Sequence, residues 1–366
     1  MNRAGRFAGP RRAWVVGLCL WGACRGEAHR TSPPPSAGQP APAAAADYVI
    51  VGAAGATAFD VPPAQPIGAR GTHLGTGFGF LMADERTVGG RPYVQLRDGR
   101  WLAASEVTRV KPSAFTGFHL APGQSLDFGW VTAPAAPVYA DATLAPARTM
   151  GSRPRHARVL LAGPCRAGAC PLAAGWVRAA DLARPQLIPR PPDVGPTERW
   201  LDVDVGSQTL VAYEGDVPRF ATLVSTGFAP EGSPLATPTG TFRIRSKHDV
   251  VRMDNLEHTG VAPYAYDVPL AQYFHEGKAL HAAPWHDQFG QARSHGCINL
   301  APRDAAWLFA FTSPTPSPGA PEVLATAAHP GTLVHIHGVV RQRNSGVPAV
   351  TLPPAAADLA RLSGER

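Results

Sequence analysis

The second half of the chain alternates apolar and polar residues in short runs, and this pattern predicts β-strands. The predicted strands are residues 200–205, 209–213, 220–224, 237–245 (a turn that runs into a strand) and 332–337. Short turns containing Gly206 and Gly215 separate the first three runs, as expected for hairpins. Gly240 lies in the tight turn that starts the fourth strand, where a positive φ favours glycine. The pattern therefore indicates a mostly antiparallel β domain.

One segment of this region has a helical pattern. Residues 302–311 place Pro302 in the first turn of the predicted helix, where a missing N–H costs little. Residues 313–321 read as an inserted loop, and residues 341–366 as a poorly ordered tail. We therefore expect a mainly β fold, a compact β-sandwich with one or two helices, over residues 197–340.

Two segments upstream share a local pattern around a tryptophan. Each has a tryptophan, an acidic residue five positions later and then an apolar residue, and Trp101 and Trp176 align at an offset of 75. Each follows an alternating run, at residues 92–96 and 157–161, that predicts a strand. The two small β modules that we expect are residues 48–115 and 127–188. Their shared ending resembles bacterial Src-homology-3-like modules, although both tryptophans could equally be core anchors of another small β fold.

Length and composition limit the organisation and partners of the protein. A chain of 366 residues is too long for one typical domain, and 39 prolines with 38 glycines indicate many turns and linkers. The proline-rich residues 185–196 form a boundary before the β domain. A net charge of +7 suits an anionic surface such as a cell wall or membrane. The arginines are scattered and no basic run is interleaved with aromatic residues, so we expect no nucleic-acid partner.

Residues 1–24 have the pattern of an export signal. Several arginines precede an apolar run at 14–21, which is too short to cross a bilayer as a stable helix. Cys24 also fits a lipoprotein signal, although Trp21 stands where a small aliphatic residue is usual, so a lipid anchor at Cys24 stays open. Residues 25–47, rich in proline and alanine, read as an extended linker. We expect an exported protein of the periplasm or cell envelope.

The five cysteines divide into three groups by position. Cys19 and Cys24 lie in the signal region. Cys165 and Cys170 are spaced for a small disulfide loop in an oxidising compartment; a metal-binding pair is the alternative, but no second pair has a matching spacing. Cys297 is left unpaired, and an odd thiol in an exported protein indicates a reactive one.

Residues 281–300 surround Cys297 with groups that could activate it. A free thiol has a pKa near ~8.5, so a nucleophilic cysteine needs a base to remove its proton. His281 and His295 compete for this role, since His295 is two residues from the sulfur but not clearly directed at it. Gly296 lacks a Cβ, so the Gly296 and Cys297 N–H groups are candidate donors to a developing oxyanion.

Two other functions of these side chains are alternatives. His281, His286, His295 and Cys297 have spacings that could ligate zinc, but a zinc site would leave the adjacent glycine and Asn299 unexplained. Cys297 could also be an inert core thiol, the commonest state of a lone cysteine. We favour the nucleophile, and we expect no metal and no cofactor.

The motif and the strands before it resemble the L,D-transpeptidase catalytic domain over residues 197–340. The shared segments are residues 200–204, 209–213, 225–227, 237–242, 253–255, 273–275 and 281–300. They occur in the order that the family shows, which a chance match would not produce. The resemblance implies that His281 is the base, that the Ala282 carbonyl orients its imidazole, and that His295 shapes the pocket.

The resemblance also concerns four residues around the reacting groups. Ser294 and Asn299 match the cysteine motif, and their simplest role is hydrogen bonding that fixes the loop. Met253 and Tyr273 match positions that line or cover the substrate cleft in the family.

The function implied by this resemblance is cross-linking of peptidoglycan stem peptides. The Cys297 thiolate would attack the carbonyl before the terminal D-Ala of a tetrapeptide stem, release D-Ala and hold the stem as a thioester. An amine of a second stem, or of an outer-membrane or wall-anchored protein, would then accept the acyl group. With water as the acceptor the protein would be an L,D-carboxypeptidase. A peptidoglycan-binding protein with a silent site is the alternative from another class.

Overall fold

The computed structural model describes residues 47–64, 69–255 and 263–340, which are mainly β with one α-helix. The mainly β fold expected from the alternating pattern is thus confirmed. The proposed export signal with Cys24, its linker up to residue 46 and the C-terminal tail lie outside the described residues. No helix within the described ranges is long and apolar enough to cross a membrane.

The described residues before Arg190 form short strands joined by turns. The strands are β1 (Tyr48–Val51), β2 (Ala56–Ala58), β3 (Thr72–Leu74), β4 (Gly79–Val88), β5 (Arg91–Leu96), β6 (Trp101–Ala103), β7 (Val107–Val110), β8 (Phe118–His119), β9 (Phe128–Val131), β10 (Ala135–Tyr139), β11 (Thr149–Pro154), β12 (Arg158–Leu160), β13 (Ala169–Pro171), β14 (Trp176–Arg178) and β15 (Leu182–Ala183). Three-residue 3-10 helices at Ala104–Glu106, Pro146–Arg148 and Ala179–Asp181 precede β7, β11 and β15. Both of the strands predicted in this part, β5 and β12, are present.

The later strands and the α-helix build the region that contains the cysteine motif. They are β16 (Arg199–Asp204), β17 (Thr209–Glu214), β18 (Val217–Leu223), β19 (Gly240–Arg243), β20 (Ser246–Asp254), β21 (Ala265–His275), β22 (Lys278–Ala282), β23 (Ile298–Leu300), α1 (Pro302–Phe311), β24 (Glu322–Leu324) and β25 (Leu333–His337). The predicted helix is confirmed at both ends. The five predicted strands are confirmed with small differences at their ends, where assignments vary most.

Four strands around the site, β20 to β23, were not predicted from the alternating pattern. β21 is buried along nearly its whole length, so it lacks the polar face that produces alternation. It also contains Pro269, and a proline within an apolar run argues against a strand. β20 and β22, its neighbours in the sheet, were missed with it, as was the three-residue strand β23 that pairs with β22.

One sheet contains the strands that the sequence predicted. Its order is β19-β25-β16-β17-β18-β8. β16 pairs in parallel with β25, and the other neighbours pair antiparallel. β8 comes from the segment between the two upstream modules, so this segment extends the sheet at its edge.

The second sheet joins strands from both halves of the chain. Its main order is β23-β22-β21-β4-β1-β7, with β20 and β24 on the side of β21 and β5 and β6 on the side of β4. β21 meets β4 at one pair, Tyr266 with Gly79. A Cβ at Gly79 would lie 2.5 Å from both the Tyr266 ring and the Tyr48 hydroxyl, so only glycine permits this approach. The first upstream segment is therefore part of the sheet that carries the cysteine motif.

The main hydrophobic core lies between residues of these two sheets and α1. Among its members are Leu201, Val203, Leu210, Phe274, Leu280, Ile298, Leu308 and Phe311. Burial of each large side chain contributes about 1.5–3 kcal/mol, which fixes the face that each strand turns inward. On β22 and β23 the residues between these core positions therefore point to the opposite face of the sheet.

The two upstream segments share the local ending that their tryptophans indicated. After Trp101 and after Trp176, a short strand leads into a 3-10 helix and then into a second strand. That second strand pairs with the first strand of its own segment, β7 with β1 and β15 with β9. The likeness of these segments to Src-homology-3-like modules, and their boundaries, stay predictions.

The cysteines of the described residues are in the states that the sequence indicated. Cys165 and Cys170 form a disulfide, as predicted. Cys170 is buried in a small core with Val131 and Val177, so the bridge closes a loop onto packed strands. Cys297 is the free cysteine of the described residues.

Candidate active site

β22 and the start of β23 place His281 and Cys297 on one face of the sheet. The two strands pair in parallel, with His281 opposite Asn299. Cys297 directly precedes β23 and lies two residues before Asn299, so it shares the face of His281. The backbone N–H of Ala279 is bonded to the Cys297 sulfur, which fixes the thiol beside β22.

Burial and one backbone contact define the state of His281. The residue is 3% exposed, and its Nδ1 lies 2.9 Å from the Ala282 carbonyl oxygen. A carbonyl can only accept, so Nδ1 carries the proton and Nε2 keeps its lone pair. Burial lowers the pKa of His281 to about 4, although the Ala282 contact opposes this shift. His281 is therefore neutral at pH 7 and can accept a proton at Nε2.

The Cys297 thiol is half-buried, and its surroundings act on its charge in opposite directions. Its Sγ lies 3.9 Å from the Gly277 carbonyl oxygen. Burial raises the pKa of Cys297, whereas the Ala279 N–H and the charge of Lys278 lower it. Because His281 is also neutral, the resting pair is a thiol and an imidazole, not a thiolate and an imidazolium.

Side-chain hydrogen bonds hold the backbone around Cys297. Ser294 Oγ donates to the Cys297 carbonyl and accepts from the Gly296 N–H at 3.1 Å. Thr237 Oγ1 donates to the Gly296 carbonyl at 3.0 Å. Gly296 has a φ of +110°, which only glycine adopts without strain. One of the two predicted oxyanion donors, the Gly296 N–H, is thus engaged by Ser294, and the Cys297 N–H is the other candidate.

His295 lies among aromatic rings at the site. Its ring stacks on Tyr264 with centroids 5.7 Å apart and meets Phe228 nearly edge-on, also at 5.7 Å. Burial and the charge of Lys278 lower the pKa of His295. Its contacts suit the pocket-shaping role that the resemblance implies.

Asn299 is fixed inside the domain by contacts on both sides. Its backbone exchanges two 2.9 Å hydrogen bonds with Ser225, and its Nδ2 lies 3.1 Å from His286 Nε2. Burial, followed by the charge of Arg293, lowers the pKa of His286 to about 3, so this imidazole is neutral as well. Asn299 thus ties the strand that follows Cys297 to the loop that follows His281.

The two predicted cleft residues lie on β20 and β21. Tyr273 stands opposite Ala279, the residue bonded to the Cys297 sulfur, and Met253 stands opposite Tyr266. Met253 and Tyr273 pack on one apolar cluster with Ala279. Burial, followed by the nearby Cys297, raises the pKa of Tyr273 to about 12. Tyr273 therefore stays a neutral phenol beside the thiol.

Sequence reasoning missed three residues that contact the site. Burial and Cys297 raise the pKa of Tyr264, whose ring covers His295. Thr237 lay in a segment shared with the family, and this was a usable signal. Lys278 and Tyr264 offered no signal, because a single lysine or tyrosine has no spacing pattern that points to a site.

The four residues considered as zinc ligands have other contacts. Within the described ranges, no three His, Cys, Asp or Glu side chains are grouped as metal ligands. His281 uses Nδ1 on a backbone carbonyl, His286 faces Asn299, and His295 lies against rings.

The loop that follows His281 is held by the second upstream segment. The Asp287 carboxylate lies 3.5 Å from His156 Nδ1, and Gln291 Nε2 donates to the Thr132 carbonyl at 3.1 Å. The His156 and Phe289 rings are 6.5 Å apart. The conformation of the loop therefore depends on residues far upstream in the sequence.

The first upstream segment reaches the same loop through Trp285. The Trp285 ring stacks on Tyr266 at 4.8 Å and also contacts Tyr48 at 5.7 Å. It lies 5.8 Å from the His281 ring. Tyr48 is thus one aromatic ring away from the proposed base.

Comparisons with known proteins identify part of the chain. The family model described as the L,D-transpeptidase catalytic domain (YkuD) matches residues 198–336. L,D-transpeptidase 1 from two strains of Mycobacterium tuberculosis is 34% identical over 117 residues, which are 30% of this chain and 46% of the relative. The chain thus spans about half the length of these curated relatives.

Solved structures of similar proteins match the chain more weakly. A mutant of the Enterococcus faecium L,D-transpeptidase has 20% identity and a TM-score of 0.30, covering 38% of this chain and 50% of that chain. L,D-transpeptidase 3 from Mycobacterium tuberculosis has 21% identity and a TM-score of 0.31, covering 39% and 62%. The family match and the sequence relatives agree with each other: residues 198–336 match the model of the L,D-transpeptidase catalytic domain, and the similar curated proteins are L,D-transpeptidases.

Proposed function

We propose that the protein is a peptidoglycan L,D-transpeptidase that works through a thioester at Cys297. The observation that carries the proposal is the state of His281. Its Nδ1–H is held by the Ala282 carbonyl, its Nε2 lone pair is available, and the residue shares a sheet face with the thiol. A base oriented in this way beside an unpaired cysteine is the arrangement that nucleophilic catalysis needs.

The first half of the reaction forms the thioester. As the Cys297 sulfur attacks the carbonyl before D-Ala, its proton passes to Nε2 of His281. The carbonyl oxygen becomes negative, and the Cys297 N–H is the donor proposed to stabilise it. The C–N bond then breaks, and D-Ala leaves as an amine that takes the proton back from His281.

The second half of the reaction transfers the acyl group. An amine of another stem, or of a wall-anchored protein, gives its proton to His281 and attacks the thioester carbonyl. The C–S bond breaks, and the sulfur recovers its proton from His281. Water in place of the amine would give hydrolysis and an L,D-carboxypeptidase by the same steps.

The substrate and location follow from the same proposal. We place the enzyme in the cell envelope, with a net charge of +7 that favours an anionic wall. The export signal and the lipid anchor at Cys24 stay predictions within this proposal. A dimeric muropeptide product would identify an amine acceptor, and a tripeptide product would identify water.

Acylation of the purified full-length protein tests the nucleophile. After incubation with a carbapenem or a tetrapeptide muropeptide, we expect intact mass spectrometry to show one covalent adduct on the wild type and none on Cys297→Ala. The reason is that Cys165 and Cys170 are joined in a disulfide, so no other thiol of the described residues can be acylated.

Two outcomes would contradict the proposal. An unmodified wild type would favour a silent peptidoglycan-binding protein, and equal adducts on both proteins would place the reaction away from Cys297. Ser152→Ala, which changes an exposed hydroxyl on β11, is a matched control and should be acylated like the wild type.

A further inference from the structure

Lys278 connects two segments of backbone next to Cys297. Its Nζ donates to the Pro234 carbonyl at 2.6 Å and to the His295 carbonyl at 2.9 Å. Lys278 is the first residue of β22 and directly precedes Ala279, whose N–H is bonded to the Cys297 sulfur. One ammonium group therefore links the start of β22, the Pro234 loop and the cysteine loop.

The contact with His295 completes a series of three fixed peptide groups. The carbonyls of His295, Gly296 and Cys297 accept hydrogen bonds from Lys278 Nζ, Thr237 Oγ1 and Ser294 Oγ, respectively. In a trans peptide the next N–H points away from the carbonyl, so each bond also sets the direction of the following N–H. Lys278 thus orients the Gly296 N–H, as Thr237 orients the Cys297 N–H.

The glycine at position 296 makes room for this lysine. A Cβ at Gly296 would lie 2.6 Å from both Cε and Nζ of Lys278 and 2.8 Å from the Ala236 carbonyl oxygen. Contacts of this length do not occur in proteins, so any larger residue would displace the ammonium group. The end of the Lys278 side chain therefore occupies the space that a side chain at position 296 would need.

The ammonium charge also acts on the sulfur. Lys278 lowers the pKa of Cys297 and thereby opposes the effect of burial. Among the titratable groups around the thiol, Tyr264 and Tyr273 are neutral phenols, and burial and Lys278 keep His295 towards its neutral form. The charge of Lys278 is thus well placed to favour a negative sulfur.

We propose that Lys278 is a positioning residue for acyl transfer at Cys297: its ammonium group fixes the backbone of residues 295–297 and stabilises the attacking thiolate. The catalytic part of this inference, that Lys278 assists acyl transfer, rests on the proposed function. Its effect on the thiol itself is independent of any substrate.

Alkylation of Cys297 by iodoacetamide across a range of pH measures the effect on the thiol. In Lys278→Met we expect the pH midpoint of alkylation to rise by about one unit, which lowers the rate at pH 7 by about tenfold. Lys278→Arg keeps the charge and should retain the wild-type midpoint. Lys111→Met, which removes an exposed lysine, should behave as the wild type.

Acylation by a carbapenem measures the effect on catalysis with the same proteins. We expect Lys278→Met to slow acylation by about tenfold, because the negative charge that develops on the attacking sulfur loses the same interaction with the ammonium group. If the midpoint shifts but the wild type is not acylated, the proposed function fails and the role of Lys278 at the thiol stands. An unchanged midpoint in Lys278→Met would overturn the inference. If that variant does not fold, Lys278→Gln, which keeps a donor and loses the charge, replaces it under the same criteria.

Discussion

At the scale of single residues, the chemistry of the site depends on two pKa shifts with one cause. Burial lowers the pKa of His281 to about 4 and raises the pKa of Cys297, because both charged forms lose contact with water. The pair is therefore uncharged at rest, and in the proposed reaction proton transfer would accompany attack of the sulfur. The Ala282 carbonyl makes this possible, since it leaves the lone pair on Nε2.

The state of His281 predicts the pH dependence of acylation. The neutral, proton-accepting form persists until the pH falls through about 4, so the rate should show no acid limb near the ordinary histidine pKa of ~6.5. The measurement is the initial rate of acylation by a carbapenem between pH 5 and pH 8, the range in which we expect folded protein. A loss of half the rate near pH 6.5 would contradict the neutral resting pair.

Substitution of the two buried histidines distinguishes the proposed general base, His281, from His286, which has a structural contact with Asn299. We expect His281→Gln to lose about 10²–10⁴-fold in acylation rate, the usual contribution of a general base. His286→Gln is the matched control, because His286 is also buried and neutral but contacts Asn299 instead of the thiol. Equal losses in both variants would remove His281 from the proposed role.

At the scale of elements, α1 is joined to an upstream segment by one buried carboxylate. Asp304, in the first turn of α1, accepts hydrogen bonds from Thr116 Oγ1 at 2.9 Å, from the Gly117 N–H at 3.0 Å and from Thr222 Oγ1. Burial raises the pKa of Asp304 to about 6 despite these donors. The Asp304 carboxylate thus joins the helix, the six-stranded sheet and the segment before β8, and it changes its charge near pH 6.

Asp304→Asn should change how stability depends on pH. A raised folded pKa means that the wild type loses stability as the pH rises from ~3.9 to about 6, by about 3 kcal/mol for a shift of roughly two units. The variant cannot titrate, so its stability relative to the wild type should improve over this range. Urea unfolding at pH 5 and pH 7, both within the range in which we expect folded protein, measures the difference, and a constant difference would contradict the raised pKa.

Elements were predictable from sequence where a short run of strand-forming residues is bounded by turn residues, or where the pattern is helical. β16 and β17 were found because the turn at Gly206 separates them, although both are buried along nearly their whole length. β21 was missed because it is longer and Pro269 interrupts its apolar run. The cysteine motif indicated the residues that we propose to react, since these residues are close together in the sequence. Lys278 could not be inferred, because its bond to Pro234 spans 44 residues and depends on how the loops pack.

At the scale of the whole molecule, the buried histidines make the fold sensitive to acid. His281 and His286 have pKa values lowered to about 4 and about 3, whereas in the unfolded chain they protonate near pH ~6.5. The unfolded state therefore binds more protons between these values, and stability falls as the pH falls through this range. The free energy of unfolding falls by about 3 kcal/mol through His281 and by about 5 kcal/mol through His286. Asp304 partly offsets this fall, because its raised pKa stabilises the folded state as the pH decreases.

A loss of this size approaches the total stability of many proteins, which is about 5–15 kcal/mol. We therefore expect unfolding between pH 3 and pH 5. Circular dichroism during acid titration measures the midpoint. His286→Gln should move the midpoint to lower pH, because it removes the larger loss, and a midpoint that does not move would contradict this account.

The position of β1 determines which hydrogen bonds would bear a pulling force applied at the N-terminal side of the described residues. β1 lies between β4 and β7 and is antiparallel to both, so tension applied ahead of Tyr48 would load these hydrogen bonds in shear, all at once along the strand. Tyr48 also touches Trp285, which touches His281. In a chain held at its N-terminus, the strand that resists the pulling force would thus be the strand in aromatic contact with the proposed base, and mechanical strain would reach His281 through two rings, those of Tyr48 and Trp285.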